Sequence, residues 1–117
     1  MDDSRFIRGY LSLLLTRCGI SCTVAENGQA GLECLRCLGP YDVALIDWNM
    51  PFMSGLEMIQ AIRRDSAYDH LKILMVTVES DIAHIETALL AGADEYLLKP
   101  FDEFGLVTKL ELIGLSP

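Results

Sequence analysis

The chain has 117 residues, 51% of them hydrophobic, and a formal net charge of −8. That is one domain with material for a real core, and so acidic a chain without a basic stripe is no nucleic-acid binder. No apolar run approaches the roughly 20 residues that span a bilayer, and the acidic start has no signal-peptide pattern, so a cytoplasmic protein with no membrane partner is expected.

In chain order, Ser4 is a good N-cap for a helix over Arg5 to Arg17, whose Phe6, Ile7, Tyr10, Leu11, Leu14 and Leu15 form a stripe at helical spacing. Ser21 to Ala25 predicts a short strand. Asn27-Gly28 turns into a helix that Gly39-Pro40 stops near Leu38. Asp42 to Asp47 is an apolar run suited to a strand buried on both faces. Ser54-Gly55 opens a helix through about Arg64, Lys72 to Thr77 is a strand, and Ser80-Asp81 caps a helix ending at Gly92. Glu95 to Lys99 is the last strand, and Asp102 starts a helix that fades near Gly114. This alternation predicts an α/β protein with a doubly wound parallel sheet, one domain over residues 1–117.

Three strands end on reactive groups, at Asp47, Thr77 and Lys99, and an acidic pair stands at Asp2-Asp3. In an open α/β sheet, ligands sit beyond the carboxyl ends of the strands, so these groups should converge there. The chemistry of the set is that of a divalent cation and a phosphoryl group. Asp47 is the nucleophile candidate, because a carboxylate can accept a phosphoryl group as an acyl phosphate. Carboxylates about 4 Å apart repel by on the order of 4 kcal/mol at an effective dielectric near 20. Mg²⁺, which favours one or two carboxylates plus phosphate and water oxygens, removes that cost. Asp3, Asp47 and a backbone carbonyl near Asn49 are the expected direct ligands, with Asp2 acting through water or as a second ligand. Lys99 would neutralise the phosphoryl oxygens and Thr77 would donate its hydroxyl. Cys18, Cys22, Cys34 and Cys37 lie on or beside helices, where structural zinc is seldom held, and read as free thiols. His70 and His84 read as solvated residues without a role.

The stretches Asp2-Asp3-Ser4, Asp47-Trp48-Asn49-Met50-Pro51, Leu74 to Thr77, Ala91-Gly92-Ala93 and Tyr96 to Phe101, with the separations between them, resemble a response-regulator receiver domain of the single-domain chemotaxis type. The resemblance implies a flavodoxin-like fold. It further implies a two-component phosphoprotein phosphorylated on Asp47 from a histidine kinase or phosphotransfer partner, with Mg²⁺ required. Such a protein is a phosphoacceptor that catalyses its own phosphotransfer and dephosphorylation, and is not classed as an enzyme. It implies rate-tuning roles for Asn49 and Glu79, a cis Lys99-Pro100 peptide, and a switch in which Thr77 moves and Tyr96 rotates inward. That switch would reshape a face spanning residues 81–113 that docks a downstream protein. Val78 stands where the chemotaxis type has a small residue, and is expected to slow autodephosphorylation.

Receivers carry an apolar strand just before the acidic pair, and this chain starts at Met1 with that strand lacking. Four or five buried aliphatics at roughly 1.5–3 kcal/mol each represent most of a domain's stability. The expectation is therefore an N-terminally truncated receiver, rearranged or self-associating through the gap, with the acidic pair on a loose terminus. Three rival readings remain. An aspartate-nucleophile phosphatase would need an acid where Asn49 stands. A phosphorylation-independent interaction module would leave Asp47, Thr77 and Lys99 without use. A flavin-binding domain would need a phosphate-cradling loop.

Overall fold

The computed structural model describes residues 1–78 and 82–115. Its elements are α1 (Arg5–Arg17), α2 (Gly28–Leu38), β1 (Val43–Asp47), α3 (Gly55–Arg64), β2 (Lys72–Val78), α4 (Ile82–Ala91), β3 (Glu95–Lys99) and α5 (Glu103–Leu112), with a 3-10 turn at Ser66–Tyr68. The helix starts follow from local chemistry. Ser4, Asn27, Ser54 and Asp102 each accept a backbone N–H of the first turn, and Ser54 with Glu57 closes a full capping box. The predicted Ser80-Asp81 cap lies outside the described residues.

The three strands form a parallel sheet in the order β1-β2-β3. Val43 to Asp47 pair with Lys72 to Val76, and Leu74 to Val78 pair with Glu95 to Lys99. Strand alternation sorts the core into two layers. Ile73 and Met75 of β2 face Met58, Ile59 and Ile62 of α3 with Ile85 and Ala88 of α4. Leu74 and Val76 face Leu11, Leu14 and Leu15 of α1 with Leu106 and Leu110 of α5. β2 is therefore buried on both sides, as its uninterrupted apolar run requires.

Two expectations are corrected. Residues 21–25 are not a strand; only Ala25 joins a ladder, its carbonyl accepting the Asp2 N–H at 3.1 Å. The expected loss or rearrangement of the fold is not borne out either, because the first residues do strand work. The Met1 ammonium donates to the Leu45 carbonyl at 2.7 Å, and the Asp47 N–H donates to the Met1 carbonyl at 2.9 Å. Met1 and Asp2 thus form one rung between residues 21–25 and β1, and the acidic pair is anchored.

Two glycines are required by close contacts, one at each end of the sheet. A Cβ on Gly55 would stand 2.6 Å from the Asp47 carbonyl oxygen, so the start of α3 can pass under the end of β1 only as glycine. Gly92 has φ +122° and lies against Arg63, whose guanidinium ties the Gly92, Tyr68 and Leu71 carbonyls and the Asp94 carboxylate together.

Candidate phosphoryl site at the sheet rim

The parallel register brings the ends of the strands to one rim. Asp47 closes β1, Thr77 is the penultimate residue of β2, and Lys99 closes β3. The Met1 rung adds Asp2, whose carboxylate also accepts the Ser4 N–H at 2.9 Å and whose carbonyl accepts Arg8 Nη1 at 2.9 Å. Asp2, Asp47 and Thr77 are the buried polar residues of the described chain, at 2%, 6% and 2% exposure. A buried charge persists only when paired, and here one cation serves two anions: Lys99 Nζ lies 2.9 Å from Asp2 Oδ2 and 2.9 Å from Asp47 Oδ1.

This sharing explains the ionisation of the site. Burial pushes the Asp47 carboxyl above its ordinary value; the Lys99 hydrogen bond opposes this, while the charges of Asp2 and Asp3 add to it. Burial acts against the charge on Lys99, but hydrogen bonds to Asp47 and Asp2 outweigh it and hold the ammonium's pKa up. Both shifts run upward because burial outweighs the shared lysine at Asp47, with other anions adding to it, whereas two carboxylate partners outweigh burial at Lys99. The site carries excess negative charge.

Carboxylate oxygens of Asp2, Asp3 and Asp47 all lie within 4.8 Å of one another. Three hard oxygen donors at that spacing suit Mg²⁺ better than a softer metal. Asp2 is buried and Asp3 exposed. Asn49 is exposed on the loop after β1. The Thr77 hydroxyl is buried without a hydrogen-bond partner among the described residues. Such a group is normally satisfied, so it stands ready for an acceptor that arrives at the rim.

Around this centre, Lys99-Pro100 is cis. Val78 is 39% exposed, and Glu79 lies outside the described residues. Tyr96 is half-buried with the Lys109 ammonium 3.9 Å above its ring, and Lys109 also meets Glu95 at 3.2 Å. Cys18, Cys22, Cys34 and Cys37 form no disulfide among the described residues. Sequence reasoning missed one contact: His84 of α4, though exposed, stacks on Trp48 with ring centroids 4.7 Å apart and planes inclined by 14°. The imidazole therefore couples α4 to the residue after Asp47, a pairing of distant residues that no local signal announces.

No helix among the described residues is long and apolar enough to cross a membrane. The model of the response regulator receiver domain family matches residues 1–111. Chemotaxis protein CheY1 of Helicobacter pylori is 37% identical over 114 residues, which are 97% of this chain and 92% of that protein. The CheY homolog of Campylobacter jejuni is 38% identical over 112 residues, 95% of this chain and 86% of its own. The structure of CheY4 from Vibrio cholerae superposes with a TM-score of 0.87 at 34% identity, covering 94% of this chain and 91% of that one. The doubly wound sheet and the acidic rim fit these likenesses, and the chain belongs to the response regulator receiver domain family, in close relation to the CheY chemotaxis response regulators.

Proposed function

We propose that the chain acts as a cytoplasmic phosphoacceptor, with Asp47 as the residue modified. The observation that carries this reading is the Lys99 ammonium held 2.9 Å from both the Asp2 and Asp47 carboxylates. An oxygen of Asp47 attacks the phosphorus of the donor, and the acyl phosphate forms as the P–N bond to the donor's histidine breaks and the imidazole leaves. Lys99 steadies the charge gathering on the phosphoryl oxygens, a fixed cation acting where water is largely excluded. The Thr77 hydroxyl then has its missing acceptor. Asp2, Asp3 and Asp47, with the backbone near Asn49, would hold Mg²⁺, which supplies neutralisation between carboxylates and phosphoryl oxygens when bound. Asn49 and Val78 tune the lifetime of the product, as does Glu79, which lies outside the described residues, and the protein promotes its own phosphorylation and dephosphorylation.

The donor is a histidine kinase or phosphotransfer protein, and the output is a docked protein. Support for the output face comes from α4, which exposes Leu89 and Leu90, and from α5, which exposes Phe104 beside Tyr96 of β3. A shift in Thr77 alters the packing behind Tyr96, biasing two arrangements of that face. The relatives named as chemotaxis proteins make a chemotaxis role the reading of choice.

The test is phosphorylation by acetyl phosphate with Mg²⁺, followed by intact mass. Wild type gains one phosphoryl group, lost on standing, and Asp47→Asn gains none above background. Equal incorporation by the variant would remove Asp47 from the role.

A further inference from the structure

The loop that joins β1 to α3 is pinned at both ends and turned inward along most of its length. Trp48 donates its N–H to the Val76 carbonyl at 3.0 Å, and its carbonyl accepts the Gly55 N–H at 2.9 Å. Met50 and Met53 pack inward against the core, and a Cβ on Gly28 would meet the Met53 sulfur at 2.9 Å. Phe52 goes the other way. It is 95% exposed, more than any other large apolar residue among those described. Its backbone is strained as well: the Met53 N–H donates to the Pro51 carbonyl at 2.7 Å around a Phe52 φ of +69°, a γ-turn of the rare, strained hand. Glycine or asparagine meets such a φ at little cost, whereas a bulky side chain there is an outlier. Neither the core nor the backbone asks for phenylalanine at this position. What the turn does is hold a phenyl ring out in water.

We propose that Phe52 is the anchor by which a phosphohistidine-bearing donor protein docks over Asp47. Its ring enters an apolar pocket beside the donor's histidine, so that this residue selects among donors. The inference rests on the reading of Asp47 as the phosphoacceptor. Reach supports it. Phe52 follows Asp47 by five residues, so the two lie within about 17 Å even at full stretch, and the Trp48–Gly55 bond folds the loop back. A donor domain of about 100 residues is some 30 Å across, and centred on Asp47 it covers the loop. Charge supports it too. The carboxylates of Asp2, Asp3 and Asp47 stand against the ammonium of Lys99, three negative charges to one positive, which a bound Mg²⁺ balances only to zero. Net charge at the centre therefore does not draw a donor in. Contacts away from it then supply the hold, as remote binding energy does for a reacting group. A ring on a pinned loop loses little freedom on docking, which suits an interface anchor. A small donor such as acetyl phosphate enters the rim without touching Phe52.

The probes are the histidine kinases of the source organism, each purified and autophosphorylated with radiolabelled ATP, with the fastest donor to wild type used for the comparison. Phe52→Asn should lower the transfer rate at limiting concentration by roughly tenfold, a common loss for an aromatic anchor, with the rate at saturation unchanged. Phe52→Tyr, which keeps the ring, should accept as wild type does. Acetyl phosphate should label all three proteins at one rate. Phe52→Asn should melt no lower than wild type, because the strained turn is relieved. Equal kinase transfer to Phe52→Asn and wild type would overturn the proposal, as would transfer from no kinase. So would an equal slowing with acetyl phosphate, which makes Phe52 part of the phosphoryl site's own structure. A wild-type dimer that Phe52→Asn abolishes while donor rates stay level would assign the ring to a second copy and overturn it as well. Wild type that acetyl phosphate fails to label would sink the acceptor reading, and this proposal with it, a result distinct from the others.

Discussion

The two edges of β1 do different amounts of work. Towards β2 the strand is paired along its whole length, from Val43↔Lys72 to Asp47↔Val76. Towards residues 21–25 it is paired through Met1 alone. Yet the rim, which depends on both edges, is complete: Asp2 sits as firmly beside Lys99 as Asp47 does. A parallel strand delivers its functional residue at its last rung, and the rungs below mainly contribute stability. Placement of a site and stability of its scaffold are thus separable at this edge.

The largest expected effect breaks the comparison at its shared point. Lys99→Met leaves two buried carboxylates without their cation, so phosphorylation by acetyl phosphate should slow by roughly 10²-fold. In chelator the variant should also melt well below wild type. If the rung were loose, Asp2 would turn to solvent and the melting temperature would barely move.

Next comes the contrast between neighbours on that rung. Asp2→Asn should weaken Mg²⁺ binding by about tenfold, some 1.4 kcal/mol, read as quenching of Trp48, which adjoins Asp47. Asp3→Asn, at an exposed carboxylate, should cost less. Equal losses would mean that burial does not rank the two ligands.

Thr77 sharpens the same point from β2. Its buried hydroxyl has no partner among the described residues, so Thr77→Val should stabilise the unphosphorylated protein by about 1 kcal/mol, measured by denaturant unfolding. A loss of stability would show that the hydroxyl is already satisfied.

The smallest effect is on pH dependence. The folded-state pKa of Asp47 is raised above its ordinary 3.8. The group's stabilising contribution is therefore full below 3.8 and is lost as pH rises through the raised value. In chelator, Asp47→Asn should lack this loss, so its melting temperature relative to wild type should climb by a few degrees at most as pH rises above 3.8. A flat difference would contradict the sign of the shift.

What the sequence disclosed follows from the range of the forces involved. Helix starts at Ser4, Asn27, Ser54 and Asp102 were legible because a cap is made within three residues. Asp47, Thr77 and Lys99 were legible because each lies at or next to the end of an apolar run, and parallel strands must end together. Residues 21–25 were misread as a strand because strand formation needs a partner along its length, and only Ala25 has one. Which of Asp2 and Asp3 turns inward depended on the Met1 rung, a contact with residues more than forty positions away. The Arg63 knot and the Trp48–His84 stack likewise join distant segments and leave no local trace.

The bridging position of Lys99 has a consequence for how the protein rests. The rim carries a tethered counter-ion of its own, so an external cation does not enter an empty anionic bowl but competes with a resident. Its net affinity is lowered by whatever the Lys99 contacts with Asp2 and Asp47 contribute, since it must displace or share them. A relay that has to forget its last message gains from such a built-in rival.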